Sequence, residues 1–85
     1  MKLLYCTECK DVFRMFFEER SCFCGKTKGN YIDNLNAVFS GPAIPLGFHN
    51  TFFYNALENQ PESGWGKTFE AFVIQKDCPT FKKKG

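Results

Sequence analysis

The sequence predicts a small α+β fold, with N-terminal hairpins followed by a short sheet and one helix. Three observations predict it. The chain has 85 residues, which is room for one domain. Two close cysteine pairs, Cys6-Thr7-Glu8-Cys9 and Cys22-Phe23-Cys24, punctuate the first third and are separated by twelve residues. The second half holds one helix-like stretch and one strongly β-forming run, in that order.

Leu3–Tyr5 reads as a strand entering the first cysteine pair, and Val12–Phe17 as a second strand, rich in β-formers around Arg14. The polar run 18–21 turns the chain into the second pair. Gly25 follows that pair, where a positive φ lets backbone N–H groups turn toward the sulfurs. Residues 26–30 have loop composition. Tyr31–Phe39 fits strand better than helix, since Asn34 and Asn36 are weak helix formers and Gly41-Pro42 follows. Segment 41–48 is apolar, yet its two prolines and two glycines predict an irregular loop. Asn50 caps a helix over Thr51–Asn59, with Phe53, Ala56 and Leu57 on one side, Phe52 widening the stripe, and Pro61 beyond its end. After a loop around Trp65, Thr68–Gln75 reads as a strand buried on both faces. These elements give one domain over residues 1–81 and a basic tail over residues 82–85.

The cysteines carry the clearest chemistry. There are five, an odd number, and the start of the chain lacks a long apolar leader-like segment. Both features argue against a disulfide framework and for a reducing, cytoplasmic setting. Cys6, Cys9, Cys22 and Cys24 suit a structural Zn2+ site, because the ion prefers a tetrahedral set of soft thiolates and each close pair can chelate from one turn. A metal is also what a chain of this size uses to supplement a limited core. Cys78 stands apart, as a free thiol or as a substitute for Cys24.

On these residues the chain resembles the zinc-ribbon family. Cys6-x-x-Cys9 and Cys22-x-Cys24-Gly25 look like its two knuckles, although the usual second knuckle is C-x-x-C. The resemblance spans Leu3 to Lys26 and implies a metal held between neighbouring hairpins.

Function is less explicit. With four cysteine ligands the site is closed, which makes it structural, and His49 with Cys78 does not constitute a nucleophile and base at any recognisable spacing. No catalytic residue is assigned, and an enzyme is not expected. Gly47, His49, Asn50 and Thr51 form a candidate ligand loop at a helix N-terminus, suited to phosphate or a nucleotide; the alternative is a loop that fills the core with Ile44, Leu46 and Phe48. The formal charge is +2, and four thiolates with Zn2+ bring it to zero. That balance weakens a nucleic-acid role through Arg14, Lys26, Lys28 and Lys82–Lys84. Fifteen aromatic residues can enlarge a small core or serve as a contact surface. The leading expectation is a non-catalytic zinc-binding module that acts through a protein partner, as an adaptor or inhibitor. No segment has the length and apolarity of a membrane span.

Overall fold

The chain winds β1 (Lys2–Cys6), β2 (Val12–Arg14), β3 (Arg20–Ser21), β4 (Lys28–Tyr31), β5 (Ala37–Ser40), β6 (Ala43–Phe48), α1 (Asn50–Glu58), β7 (Ala71–Val73) and β8 (Phe81–Lys83). This is a computed structural model, and it describes residues 1–84. The strands form two four-stranded sheets, ordered β2-β1-β6-β7 and β3-β4-β5-β8. One helix and two small sheets make the expected α+β fold.

All pairings are antiparallel except β5 with β8. The longest ladder joins β1 to β6 and runs from Lys2↔Gly47 to Cys6↔Ala43. Because side chains alternate across a strand, Leu4 and Pro45 share one face and Leu3 and Leu46 the other. The core is the buried set Leu4, Met15, Ala37, Phe39 and Phe81, drawn from both sheets. Phe39 and Phe81 meet edge to face with ring centroids 5.3 Å apart, the favoured arrangement for aromatic quadrupoles.

Several elements depart from the sequence reading. Segment 41–48 is not an irregular loop: Ala43–Phe48 is the inner strand that joins β1 to β7. Pro45 is tolerated there for a local reason. Its carbonyl accepts from Ile74 N–H on the β7 side, and the last β7 pair is Leu46↔Val73. The missing proline N–H thus falls where the ladder stops. Tyr31–Phe39 is not one strand. Asp33 Oδ1 accepts the backbone N–H groups of Leu35 and Asn36 at 2.8 and 2.7 Å, and this Asx turn separates β4 from β5. Asn36 completes the turn by donating its amide to both Asp33 oxygens, and these bonds hold the Asp33 carboxyl below its usual range, led by the Asn36 side chain. Residues 28–30, read as loop, already belong to β4.

The helix starts one residue earlier than expected, with His49 rather than Asn50 at its N-cap, and it buries no residue. The run Thr68–Gln75 contracts to β7, an edge strand with all three residues exposed. Its apolar stretch Ala71–Ile74 mimicked a strand covered on both faces, but no layer closes over either face of β7. At the C-terminal end, Lys82 and Lys83 pair with Val38 and Phe39 in β8. The boundary expected at Lys82 therefore falls inside a strand, and the basic run is not simply a tail.

Candidate metal centre

The two knuckles are built from the ends of hairpins. Cys6 closes β1, and the chain turns at once: Lys10 N–H donates to the Cys6 carbonyl at 2.9 Å, with Lys10 itself at φ 68°. Cys6 N–H in turn reaches the Asp11 carbonyl at 2.9 Å, which returns the chain toward β2. The second turn copies this plan in one residue fewer. Gly25 N–H donates to the Cys22 carbonyl at 3.1 Å, and Gly25 has the positive φ, 82°, expected from its place after the cysteines. Thr27 N–H points at Cys22 Sγ from 3.4 Å, the kind of second-shell donor that orients a thiolate ligand.

These turns bring Cys6, Cys9, Cys22 and Cys24 together, with all four sulfurs within 4.8 Å of one another. Cys24 Sγ lies 3.4 Å from Cys22 Sγ and 3.8 Å from Cys6 Sγ. A metal bound tetrahedrally by thiolates at about 2.3 Å places its sulfurs about 3.8 Å apart. The short C-x-C spacing therefore still presents its two sulfurs to a common centre. All four cysteines are free thiols, so none is consumed by a disulfide. The four are positioned to bind a metal ion, which is compatible with zinc-ribbon-like knuckles.

The cluster is electrostatically uneven. Burial acts to raise the Cys22 thiol, but the Thr27 N–H and hydrogen bonds from the other three thiols outweigh it and bring it to about 6. Cys6 is also lowered, chiefly by the Cys9 backbone. Cys24 receives a stabilising Lys26 backbone hydrogen bond, yet burial and the three neighbouring sulfurs together push it up to about 12. The physical content is simple. Four sulfurs packed this closely cannot all carry charge without a cation between them.

A third segment, not recognised from the sequence, locks the knuckles to each other. The Pro42 carbonyl accepts Thr7 N–H at 2.9 Å, Thr7 Oγ1 at 3.1 Å and Thr27 Oγ1 at 3.3 Å. Thr27 is the one buried polar residue among the described residues, with 0% exposure. Next to Pro42, Gly41 adopts φ 95°, and a Cβ there would lie 2.0 Å from the Lys26 carbonyl oxygen. The 41–42 turn thus lies directly against both knuckles. Asp11 adds a fourth tie, accepting Phe23 N–H at 3.0 Å. In the sequence Gly41-Pro42 belongs to the segment read as an irregular loop, and nothing local shows that its carbonyl serves two distant threonines.

The other candidate residues lie elsewhere. Gly47 ends the β1–β6 ladder, and the Phe72 ring occupies the space beside its Cα, where a Cβ would come within 2.7 Å of ring carbons. His49 stacks on Phe52 with ring centroids 4.4 Å apart and makes no side-chain cap bond. Asn50 Oδ1 accepts from the Met1 amino group. A 380 Å³ cavity is lined by Gly47 and Phe48 but not by His49, Asn50 or Thr51, so the four loop residues do not converge on one hollow. Cys78 is outside the sulfur cluster. It lines that same cavity and contacts Thr80 Oγ1 at 3.4 Å, and hydrogen bonds from Thr80 lower its thiol below the ordinary value. Substitution for Cys24 would need Cys78 to leave this setting.

Comparison of the chain with protein-family models, with curated proteins and with solved structures finds no match. No helix among the described residues is long and apolar enough to cross a membrane.

Proposed function

We propose that the chain is a zinc-stapled, non-catalytic module of a reducing compartment such as the cytoplasm, acting by protein–protein contact as an adaptor or inhibitor. Zinc fits the donor set, because four thiolates in a tetrahedral cluster favour it over harder cations. Such a site has no open coordination position, so its contribution is to fix the two hairpins.

The observation that carries the contact role is the extent of exposed apolar side chains, more than half of them between Ile44 and Val73. Ile44, Phe52, Tyr54, Leu57, Trp65, Phe69, Phe72 and Val73 are all exposed, Trp65 at 99%. Val12, Phe16, Phe17, Phe23, Ile32 and Leu35 are exposed as well; single exposed apolar residues are ordinary, and it is their extent along this short chain that supports a contact surface. The test is capture from native-host extract with the tagged wild type and with a Phe52→Ser, Leu57→Ser double variant. A partner held by the wild type and lost by the variant supports the reading; a wild type that holds no partner counts against it. Metal analysis tests the staple, with about one zinc per chain expected and iron or no metal as the opposing results.

Nucleic-acid binding is a second reading, favoured by one observation. The four strands of the sheet β3-β4-β5-β8 carry Arg20, Lys28, Lys82 and Lys83 and no carboxylate. Binding to mixed single- and double-stranded nucleic acid that falls steeply with salt would support it.

A further inference from the structure

The basic run at residues 82–84 is split by the fold. Side chains alternate along a strand, and the β8 register sets Lys82 opposite Val38 and Lys83 opposite Phe39. Phe39 and Phe81 belong to the core. Lys83 therefore shares the inner face of its sheet with them, while Lys82 lies on the outer face. The strand is held in place past Lys83, because Lys84 N–H donates to the Phe39 carbonyl at 2.7 Å.

A second lysine reaches the same place from the other sheet. The β1–β6 register sets Pro45 opposite the buried Leu4 and Ala43 opposite the buried Cys6, so both face inward from β6. Ile74 N–H donates to the Pro45 carbonyl, and Lys76 follows two residues later in an exposed turn. The result is a hollow of 270 Å³ at the seam between the sheets, lined by Phe39, Ala43, Pro45, Lys76 and Lys83.

Three of these lining residues are apolar, and the other two are both cations. No carboxylate lines the hollow, that of Asp77 included. A lysine stem commonly lies along apolar surface with its ammonium in water. That habit accounts for lysines one at a time. It does not bring two of them from different sheets to one hollow, where like charges repel. An anion between them turns the repulsion into two charge-assisted hydrogen bonds. The apolar walls match a hydrocarbon body behind the charge. The volume lies just under the range of drug-sized pockets, about 300–1,000 Å³, so that body is small.

We infer that this hollow binds a carboxylate carried on a small aryl or alkyl body, with Lys76 and Lys83 on the carboxylate and Phe39, Ala43 and Pro45 against the hydrocarbon. No cysteine of the cluster lines it, and the inference does not depend on the protein-contact reading.

The test is titration of the intact, metal-loaded chain with phenylacetate, followed by amide chemical shifts. Saturable shifts are expected at Phe39, Ala43, Lys76 and Lys83. Phenylethanol keeps the ring without the charge, and inorganic phosphate keeps charge without the ring; each should bind about tenfold more weakly or worse. Lys76→Gln and Lys83→Gln should each weaken phenylacetate about tenfold, while Lys82→Gln, on the outer face, leaves it unchanged. Lys76→Gln, in its exposed turn, decides the matter if Lys83→Gln disturbs β8. A short peptide ending in a free phenylalanine separates two sources of the same chemistry. Tighter binding than phenylacetate assigns the hollow to a protein chain end, and weaker binding assigns it to a free acid. The inference is overturned by the absence of saturable shifts at millimolar phenylacetate, by equal binding of phenylethanol, or by binding that survives loss of both lysines. An equal loss with Lys82→Gln also overturns it, since the attraction would then be general and not local.

Discussion

The knuckle end and the helical arm both leave large apolar residues exposed, Phe23 at 91% and Leu57 at 56%, but only the knuckle end has an enclosed centre. Around the cysteines, Leu4, Cys6, Met15 and Thr27 are at 0% exposure, and the Pro42 carbonyl serves three donors. In the arm, α1 buries nothing. Its aromatic contacts form a small satellite of Phe48, Phe53 and Phe69, with ring centroids 5.0 to 5.2 Å apart. The difference teaches that apolar content does not set burial. What sets it is whether other elements can close over the residues. Two sheets and a sulfur cluster close over one end, while one edge strand and a nine-residue helix cannot close over the other.

Removing the metal should break this contrast most sharply. Chelation, or Cys22→Ser, is expected to unfold the knuckle end, because metal binding and folding are one equilibrium in small sites of this kind. Circular dichroism with and without chelator measures it, and an unchanged melting curve would refute it. Acid should do the same. A thiolate must be deprotonated to bind, so affinity persists at higher pH and is lost as protons return. Even without metal the Cys22 thiol lies at about 6, lowered against burial by its hydrogen bonds. Release, followed with a colorimetric chelator, is expected as pH falls through and below that value, with protons taken up. Release on raising the pH from neutrality would contradict the sign.

Next in size is Phe81→Ala. Phe81 is 1% exposed and packs against Phe39, so the substitution leaves a cavity under both sheets and should cost about 3–5 kcal/mol. Urea denaturation checks it; a loss below about 1 kcal/mol would mean that the core is not centred there. Gly41→Ala should follow at about 3 kcal/mol, combining a left-handed backbone with a collision against the Lys26 carbonyl. It should also weaken metal retention, since it pushes the 41–42 turn away from the second knuckle. A variant that keeps full affinity would show that the turn does not clamp the site.

The sequence disclosed what depends on local chemistry. Two cysteine pairs at short spacing identified the four candidate ligands, and Gly25 its left-handed turn. The fold class followed from the succession of periodic segments. What stayed hidden depends on distant partners. Pro45 and its neighbouring glycines read as irregular because local rules do not show that a missing N–H lands beyond the end of a ladder. Thr27 and Pro42 are loop residues as read, but the hydrogen bond that joins them stayed hidden because it spans 15 positions. The run around Phe72 looked buried because periodicity records what a strand offers and not whether a neighbour exists.

The smallest expected effect completes the comparison. Leu57→Ser removes a large apolar side chain from the arm, as Phe81→Ala does from the core, yet Leu57 is 56% exposed. It leaves no enclosed cavity, so thermal unfolding should show a change within about 0.5 kcal/mol. A loss of several kcal/mol would mean that the arm is packed against the body in solution and is not a free contact surface. If stability is unchanged while partner capture falls, the apolar residues of the arm contribute to recognition. In that case the metal end holds the fold and the helical end is free to bind.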